Sequence, residues 1–186
     1  MPEQPTAMQL LARAAAIYDA PGSPLRPAVL AARRSGFQSG AQWMALAMGT
    51  IRRQAPAPVA LIYQRLGITK YAMSFAAAGI CALLAMALGK PCLGWVGVMA
   101  FYMVEAQMVF IFPLALDGTD HLFRESRRWT VRAGGTRPIM HIVLPLATTM
   151  IFGGFFGRGF QRSWCMGCLA VCIWYEDLRN VHAVTV

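Results

Sequence analysis

Hydrophobic residues gather into four runs along the chain, and the two longest lie between Lys70 and residue 116. Residues 71–89 carry no charge, and a second apolar run, 93–116, follows after a short turn. A helix rises about 1.5 Å per residue and the hydrocarbon core of a bilayer is about 30 Å thick. Both runs are long enough to span, so we predict a membrane hairpin.

Two further apolar runs lie in the C-terminal half. Run 139–157 contains Pro145, which should kink a helix because proline removes a backbone donor and clashes with the preceding turn. Run 164–175 is too short to span unless residues 155–163 contribute helix to it. The pattern therefore predicts an all-α, polytopic integral membrane protein with three or four transmembrane helices, the fourth (160–175) being short or re-entrant.

The N-terminal segment, 1–69, is predicted to be basic and amphipathic and to lie on the inner face, while 70–186 forms the helical membrane domain. Its first helix should begin after a Thr6 cap and bury Met8, Leu11, Ala15 and Tyr18. Residues 41–51 are apolar but too short to span. They fit either the membrane interface or the groove of a neighbouring protein.

Composition agrees with a membrane class: 57% of the residues are hydrophobic, 13% are charged and the mean hydropathy is +0.48. The net charge of +9 comes from cations that flank apolar runs, so nucleic acid is not expected as a partner. With the N-terminus inside, most of the 17 Lys and Arg residues lie inside. The predicted location is the bacterial inner membrane, with an organellar inner membrane as the alternative.

The segment 117–138 should form an interfacial helix on the inner face. Thr119 or Asp120 can cap it, and Glu125 can pair with Arg128 or Arg132. Anionic lipids are predicted partners, with six arginines assigned to their headgroups: Arg52, Arg53, Arg124, Arg127, Arg128 and Arg132.

Glu105 is the strongest single functional signal, because a carboxylate inside an apolar run costs about 2.5–3.5 kcal/mol on insertion scales. With Gln107 and His141 it is a candidate proton relay or ligand site. The competing interpretation is an interhelical hydrogen bond to a Ser, a Thr or a backbone carbonyl. We favour the hydrogen bond, because an acid without a partner at matching depth makes a poor proton path.

Small residues at helical spacing predict close helix packing. Ser74, Ala78 and Ala82 form such a row in the first run, and Gly153 and Gly157 have a close-packing spacing that is equally typical of a hinge.

The cysteines show a third pattern. Cys165, Cys168 and Cys172 share one helical face, and Cys81 and Cys92 lie in the hairpin. Zinc and iron-sulfur sites ordinarily need four ligands, so we read the face as small packing residues rather than thiol chemistry. No metal or other cofactor is predicted; bound lipid is expected, and a pigment or haem stays open.

No catalytic signature is found in the sequence. The leading hypothesis is a non-catalytic accessory subunit of a larger membrane complex, such as an energy-transducing one, with other membrane subunits as partners. The alternatives are a small oligomeric transporter or channel that uses Glu105, and a membrane thiol enzyme.

Overall fold

The computed structural model describes residues 4–31, 36–59, 62–90 and 94–183, and every regular element in these ranges is helical, as predicted. Cys92 lies outside the described residues. The elements are α1 (Ala7–Asp19), α2 (Leu25–Ala31), α3 (Gly36–Arg52), α4 (Ile62–Ala87), α5 (Trp95–Gln107), α6 (Ile111–Leu116), α7 (Leu122–Arg132), α8 (Thr136–Phe152), a π-helical turn (Gly154–Arg158) and α9 (Phe160–Ala183).

Two stretches in the described part of the chain are long and apolar enough to cross a membrane: α4, with 26 residues, and Trp95–Leu116, with 22. They pack side by side as a hairpin. Only 17% of the most apolar window of α4 is buried, which is far less than the core helix of a water-soluble protein would show. The large side chains left uncovered on the hairpin include Phe75, Ile80, Leu83, Leu84, Trp95 and Val98.

The second predicted run is divided at residues 108–110, where the backbone leaves the helical path between α5 and α6. Pro113 explains this break, which the sequence analysis did not anticipate. A proline cannot donate to the carbonyl four residues earlier and its ring clashes with that carbonyl, but it is tolerated in the first turn of a helix. The chain therefore restarts as α6 with Pro113 in its first turn.

Helix α9 is the centre of the remaining helices and packs against α1, α3 and α8. Of residues 155–163, only 160–163 join the short fourth run as α-helix, because the π-helical turn and Gly159 precede them. Helix α9 extends to Ala183. Its buried side chains include Leu169, Ile173 and Trp174, and the Phe110 ring from the break packs on Trp174 at 4.9 Å. α9 is therefore covered largely by protein.

Helix α1 has the predicted cap, in which Thr6 accepts a hydrogen bond from the Gln9 backbone. The predicted buried face is wrong by about one residue. Tyr18 is buried as expected, but Met8 is 73% exposed, and the face that packs inward consists of Ala7, Leu10, Ala14 and Tyr18. Periodicity alone does not distinguish neighbouring faces of an alanine-rich helix, because they are nearly equally apolar. Packing against α9 decides which of these faces is buried.

Gly153 and Gly157, the predicted close-packing pair, have different roles. A Cβ on Gly153 would collide with the Ser163 hydroxyl, so this glycine permits close contact between α8 and α9. Gly157 has φ +76° and open space around it, which makes it a turn residue. Helix α8 continues through Pro145.

The predicted small-residue row of α4 faces α5. A Cβ on Gly97 of α5 would lie 2.9 Å from the Ala78 carbonyl oxygen, whereas a Cβ on Gly79 would meet nothing within 4 Å. The two helix backbones therefore approach closely at Ala78 and Gly97.

We expect Gly97→Ala to destabilise the protein by about 1–3 kcal/mol through steric overfill. Gly79→Ala is the matched control, because it adds the same methyl group to an open face and gains up to about 1 kcal/mol of helix propensity. Thermal unfolding of both variants in detergent measures the difference. Equal midpoints for the two variants would contradict close packing at Gly97.

Candidate functional site

Glu105 lies two residues before the end of α5 and faces Lys70 and Ser74 of α4. Its Oε2 is 2.8 Å from the Lys70 ammonium, and its Oε1 accepts a hydrogen bond from the Ser74 hydroxyl at 2.9 Å. The side chains of Lys70 and Glu105 are only 9% and 13% exposed. Both carboxylate oxygens are thus occupied by groups of the same chain.

Glu105 is the eleventh of the 22 residues in the apolar stretch Trp95–Leu116, whereas its partner lies at the edge of the apolar part of α4. Lys70 is the residue that ends the uncharged run, and α4 rises about 26 Å from there to its last residue, Ala87, at 1.5 Å per residue. Glu105 is level with Lys70 because α5 ends shortly afterwards at Gln107. The ion pair therefore lies near the end of the packed α4–α5 segment that is opposite the turn, and α4 extends eight residues beyond Lys70.

Gln107 belongs to a second group of polar contacts, where α7 and α8 meet the break after α5. Its side-chain amide donates to the Thr136 hydroxyl at 2.6 Å. The Ser126 hydroxyl donates to the Gln107 carbonyl at 2.8 Å, and the Thr130 hydroxyl to the Ala106 carbonyl at 3.2 Å. These two carbonyls lost helical partners at the break, and buried side chains of α7 replace them.

Helix α7 carries the predicted Glu125–Arg128 ion pair, at 2.6 Å. The predicted cap is wrong: the residue before the helix is His121, in the left-handed conformation, and no side chain caps the helix there. Docking of Ser126 and Thr130 on the break determines where α7 lies, so its start does not depend on the local cap signal at Thr119 or Asp120.

The second charged cluster joins the C-terminal ends of α3 and α6 to the second half of α9. The Arg52 guanidinium bonds to both oxygens of Asp117 at 2.6 and 2.9 Å, and its Nε donates to Glu176 at 2.9 Å. Arg179 is 3.3 Å from Glu176, and the Tyr175 hydroxyl donates to Asp117 at 2.8 Å. Burial disfavours the charged guanidinium, but the hydrogen bonds to the two carboxylates outweigh it and raise the pKa of Arg52.

The arginines assigned to lipid headgroups thus fall into different settings. Arg52 is engaged within the chain, whereas Arg53 is exposed. Arg132 lies over the Trp129 ring at 5.4 Å, Arg128 pairs with Glu125, and Arg124 is a looser 3.9 Å from Glu125. Arg127 lines a groove between α4 and α7.

The remaining predicted site residues stay apart from Glu105. His141 is exposed on α8, and within the described residues no hydrogen bond or ion pair joins it to Glu105 or Gln107. Cys165 and Cys172 are buried in α9, Cys168 is half-buried, and all three are free thiols. In the described ranges, no group of three or more His, Cys, Asp or Glu side chains is arranged to hold a metal.

Sequence reasoning named Glu105, Ser74 and Arg52 but missed the partners Lys70, Asp117 and Glu176. A signal for Lys70 was present, because it stands four residues before Ser74 and so shares the face of the small-residue row. No local signal connects Arg52 with Glu176, which is 124 residues away along the chain.

Comparison with protein-family models, with curated proteins and with solved structures gives no match to this chain. Function must therefore be argued from the contacts themselves.

We expect Arg52→Gln to lower the free energy of unfolding by about 3 kcal/mol, because the amide leaves Asp117 and Glu176 without their cation. Arg53→Gln, at the adjacent exposed position, should change it by less than about 0.5 kcal/mol. Chemical denaturation in detergent compares the two. Similar small losses would mean that Arg52 contributes no more than a surface cation.

Proposed function

We propose that this protein is an integral membrane protein and serves as a non-catalytic subunit of a larger membrane complex. The observation that carries the proposal is the Lys70–Glu105 ion pair. The strongest candidate for chemistry inside the hairpin has both oxygens occupied by an ammonium and a hydroxyl of the neighbouring helix. Such a group fastens α4 to α5, and it is not held open for a proton or a ligand.

The membrane assignment is supported by the apolar surface of the hairpin. Side chains such as Ile80, Leu83 and Val98 are more than half exposed, and hydrocarbon is the solvent in which such a surface is stable. The arginine-rich helix α7 lies at the opposite end from the hairpin turn, so we orient that end and the N-terminus to the inside. A bacterial inner membrane suits this orientation, as does an organellar inner membrane.

A contact surface for another subunit is available on the outer face of α4. Because Ser74 and Ala78 are used against α5, the row left open consists of Ala72, Ala76 and Gly79, all exposed. Small residues in such a row let a second helix backbone approach closely in the bilayer. This exposed row is the surface on which we expect a helix of another subunit to pack.

Ala76→Ile should leave the fold intact, because the new side chain points away from α5, and should block a partner helix. Leu83→Ile is the control on the same side of α4, since it changes shape and adds no bulk. We expect the partner chains that co-purify in mild detergent, quantified by mass spectrometry, to fall several-fold for Ala76→Ile alone. Identical partner yields for wild type and both variants would count against a subunit docked on this face.

A transporter or channel is the second candidate, and the break between α5 and α6 is the observation that favours it. Interrupted helices beside a polar group are typical of transport sites. Here, however, the break is buried: Phe110 and Ile111 are fully covered, and α7 satisfies the freed carbonyls. The ion pair next to it can be tested directly.

Glu105→Gln alone should destabilise the protein by about 3 kcal/mol, because it leaves the Lys70 ammonium buried without a counter-charge. Lys70→Met combined with Glu105→Gln removes both charges at nearly constant shape, so we expect it to recover most of that loss. Unfolding of the two single variants and the double variant in detergent gives the coupling energy.

The same double variant distinguishes the structural subunit from the transporter or channel. A structural ion pair predicts that it assembles with partners and restores growth or activity to cells lacking the protein. If it is stable and assembles at wild-type abundance but restores nothing, the transport function takes first place.

A further inference from the structure

A groove of about 700 Å³ lies between α4 and α7, a volume typical of small-molecule sites. Gln107 and Met108 at the break after α5 line it, together with Gly135 and Thr136 around the start of α8. Met73 of α4 and Phe123 of α7 also line it. The groove is thus lined by apolar side chains together with a smaller number of polar ones.

The charge of the groove is positive. Among the described residues that line it, Arg127 is the only charged one, and no acidic side chain is paired with it in the described structure. The neighbouring arginine differs, since Arg128 is bound to Glu125. Thr136 and Gln107 add polar groups at the same end. A ligand of this groove should therefore have an anionic group that binds Arg127 and an apolar part that packs against Met73 and Phe123.

The position of the groove along α4 indicates which kind of ligand can reach it. Thr69 and Met73, which line it, flank Lys70 in α4. Lys70 ends the uncharged run, so the groove opens where a bilayer changes from hydrocarbon to headgroups on the inner side. This step rests on the proposed membrane embedding.

We propose that the groove binds one anionic phospholipid of the inner leaflet, with its phosphate on the Arg127 guanidinium and its acyl chains along Met73 and Phe123. Basic pockets between membrane helices on the inner side bind such headgroups through charge-assisted hydrogen bonds. The lipid would fill the space that separates α7 from α4.

The test uses the full chain reconstituted in nanodiscs of phosphatidylcholine with phosphatidylglycerol, then released into detergent for native mass spectrometry. We expect one phosphatidylglycerol to stay bound per chain. Phosphatidylcholine with the same acyl chains has the same phosphate but should bind about tenfold more weakly, because its quaternary ammonium brings a second positive charge close to the Arg127 guanidinium. Arg127→Gln should lower phosphatidylglycerol affinity by a similar factor. Arg127→Lys should restore most of it, and Arg128→Gln should leave it unchanged.

Equal losses for Arg127→Gln and Arg128→Gln, or equal binding of the two lipids, would overturn the site. Displacement of phosphatidylglycerol by millimolar inorganic phosphate would show a site for free anions and would overturn the lipid. Circular dichroism melts confirm that the variants are folded.

Extraction of cell membranes with alkaline carbonate reports embedding independently of the groove. If the chain resists extraction but binds both lipids equally, the lipid site in the groove is contradicted and the membrane proposal stands. A chain that is extracted refutes the membrane proposal instead.

Discussion

A lysine and a glutamate buried against each other between α4 and α5 constrain the whole hairpin. Removing each charge from water costs several kcal/mol, and only close geometry with further hydrogen bonds offsets that cost. Lys70 and Glu105 meet at 2.8 Å and Ser74 supplies the further bond, so the register of the two helices is determined at this level. The close approach of Gly97 to Ala78 depends on that register, because a slip of one residue would turn both away from the interface.

The end of the hairpin at this ion pair also determines where the other helices lie. Pro113 breaks the second apolar run and frees carbonyls that cannot remain unsatisfied away from water. Ser126 and Thr130 satisfy them and thereby dock α7, an arginine-rich helix, against an apolar hairpin. The groove beside Arg127 is a consequence of that docking, since α7 rests on the break and leaves space beside α4. The break at Pro113 thus accounts for the hydrogen bonds from Ser126 and Thr130, for the docking of α7 and for the positively charged groove.

The candidate site was partly accessible to sequence reasoning. Glu105 and Ser74 were named from two separate patterns, a charge in an apolar run and a row of small residues, and the structure brings both patterns to one contact. The sequence marks Lys70 only as the boundary of the uncharged run. The sequence predicts a lipid contact for Arg52, because the local pattern is a cation next to a short apolar helix. That pattern is the same whether the anionic partner is a distant carboxylate of the chain or a lipid headgroup. Asp117 and Glu176 reach it only in the folded chain.

The sequence by itself determined the helices and the hairpin, because apolar runs, proline and capping residues act over a few turns of backbone. Thr6 capped α1 as predicted, and α4 and α8 cover most of their predicted runs. Only the tertiary structure decided which face of α1 is buried, that α9 is central, and which charges neutralise each other. Those outcomes depend on surfaces that distant segments present to one another, and the pairing of Arg52 with Glu176 leaves no trace in the neighbourhood of either residue.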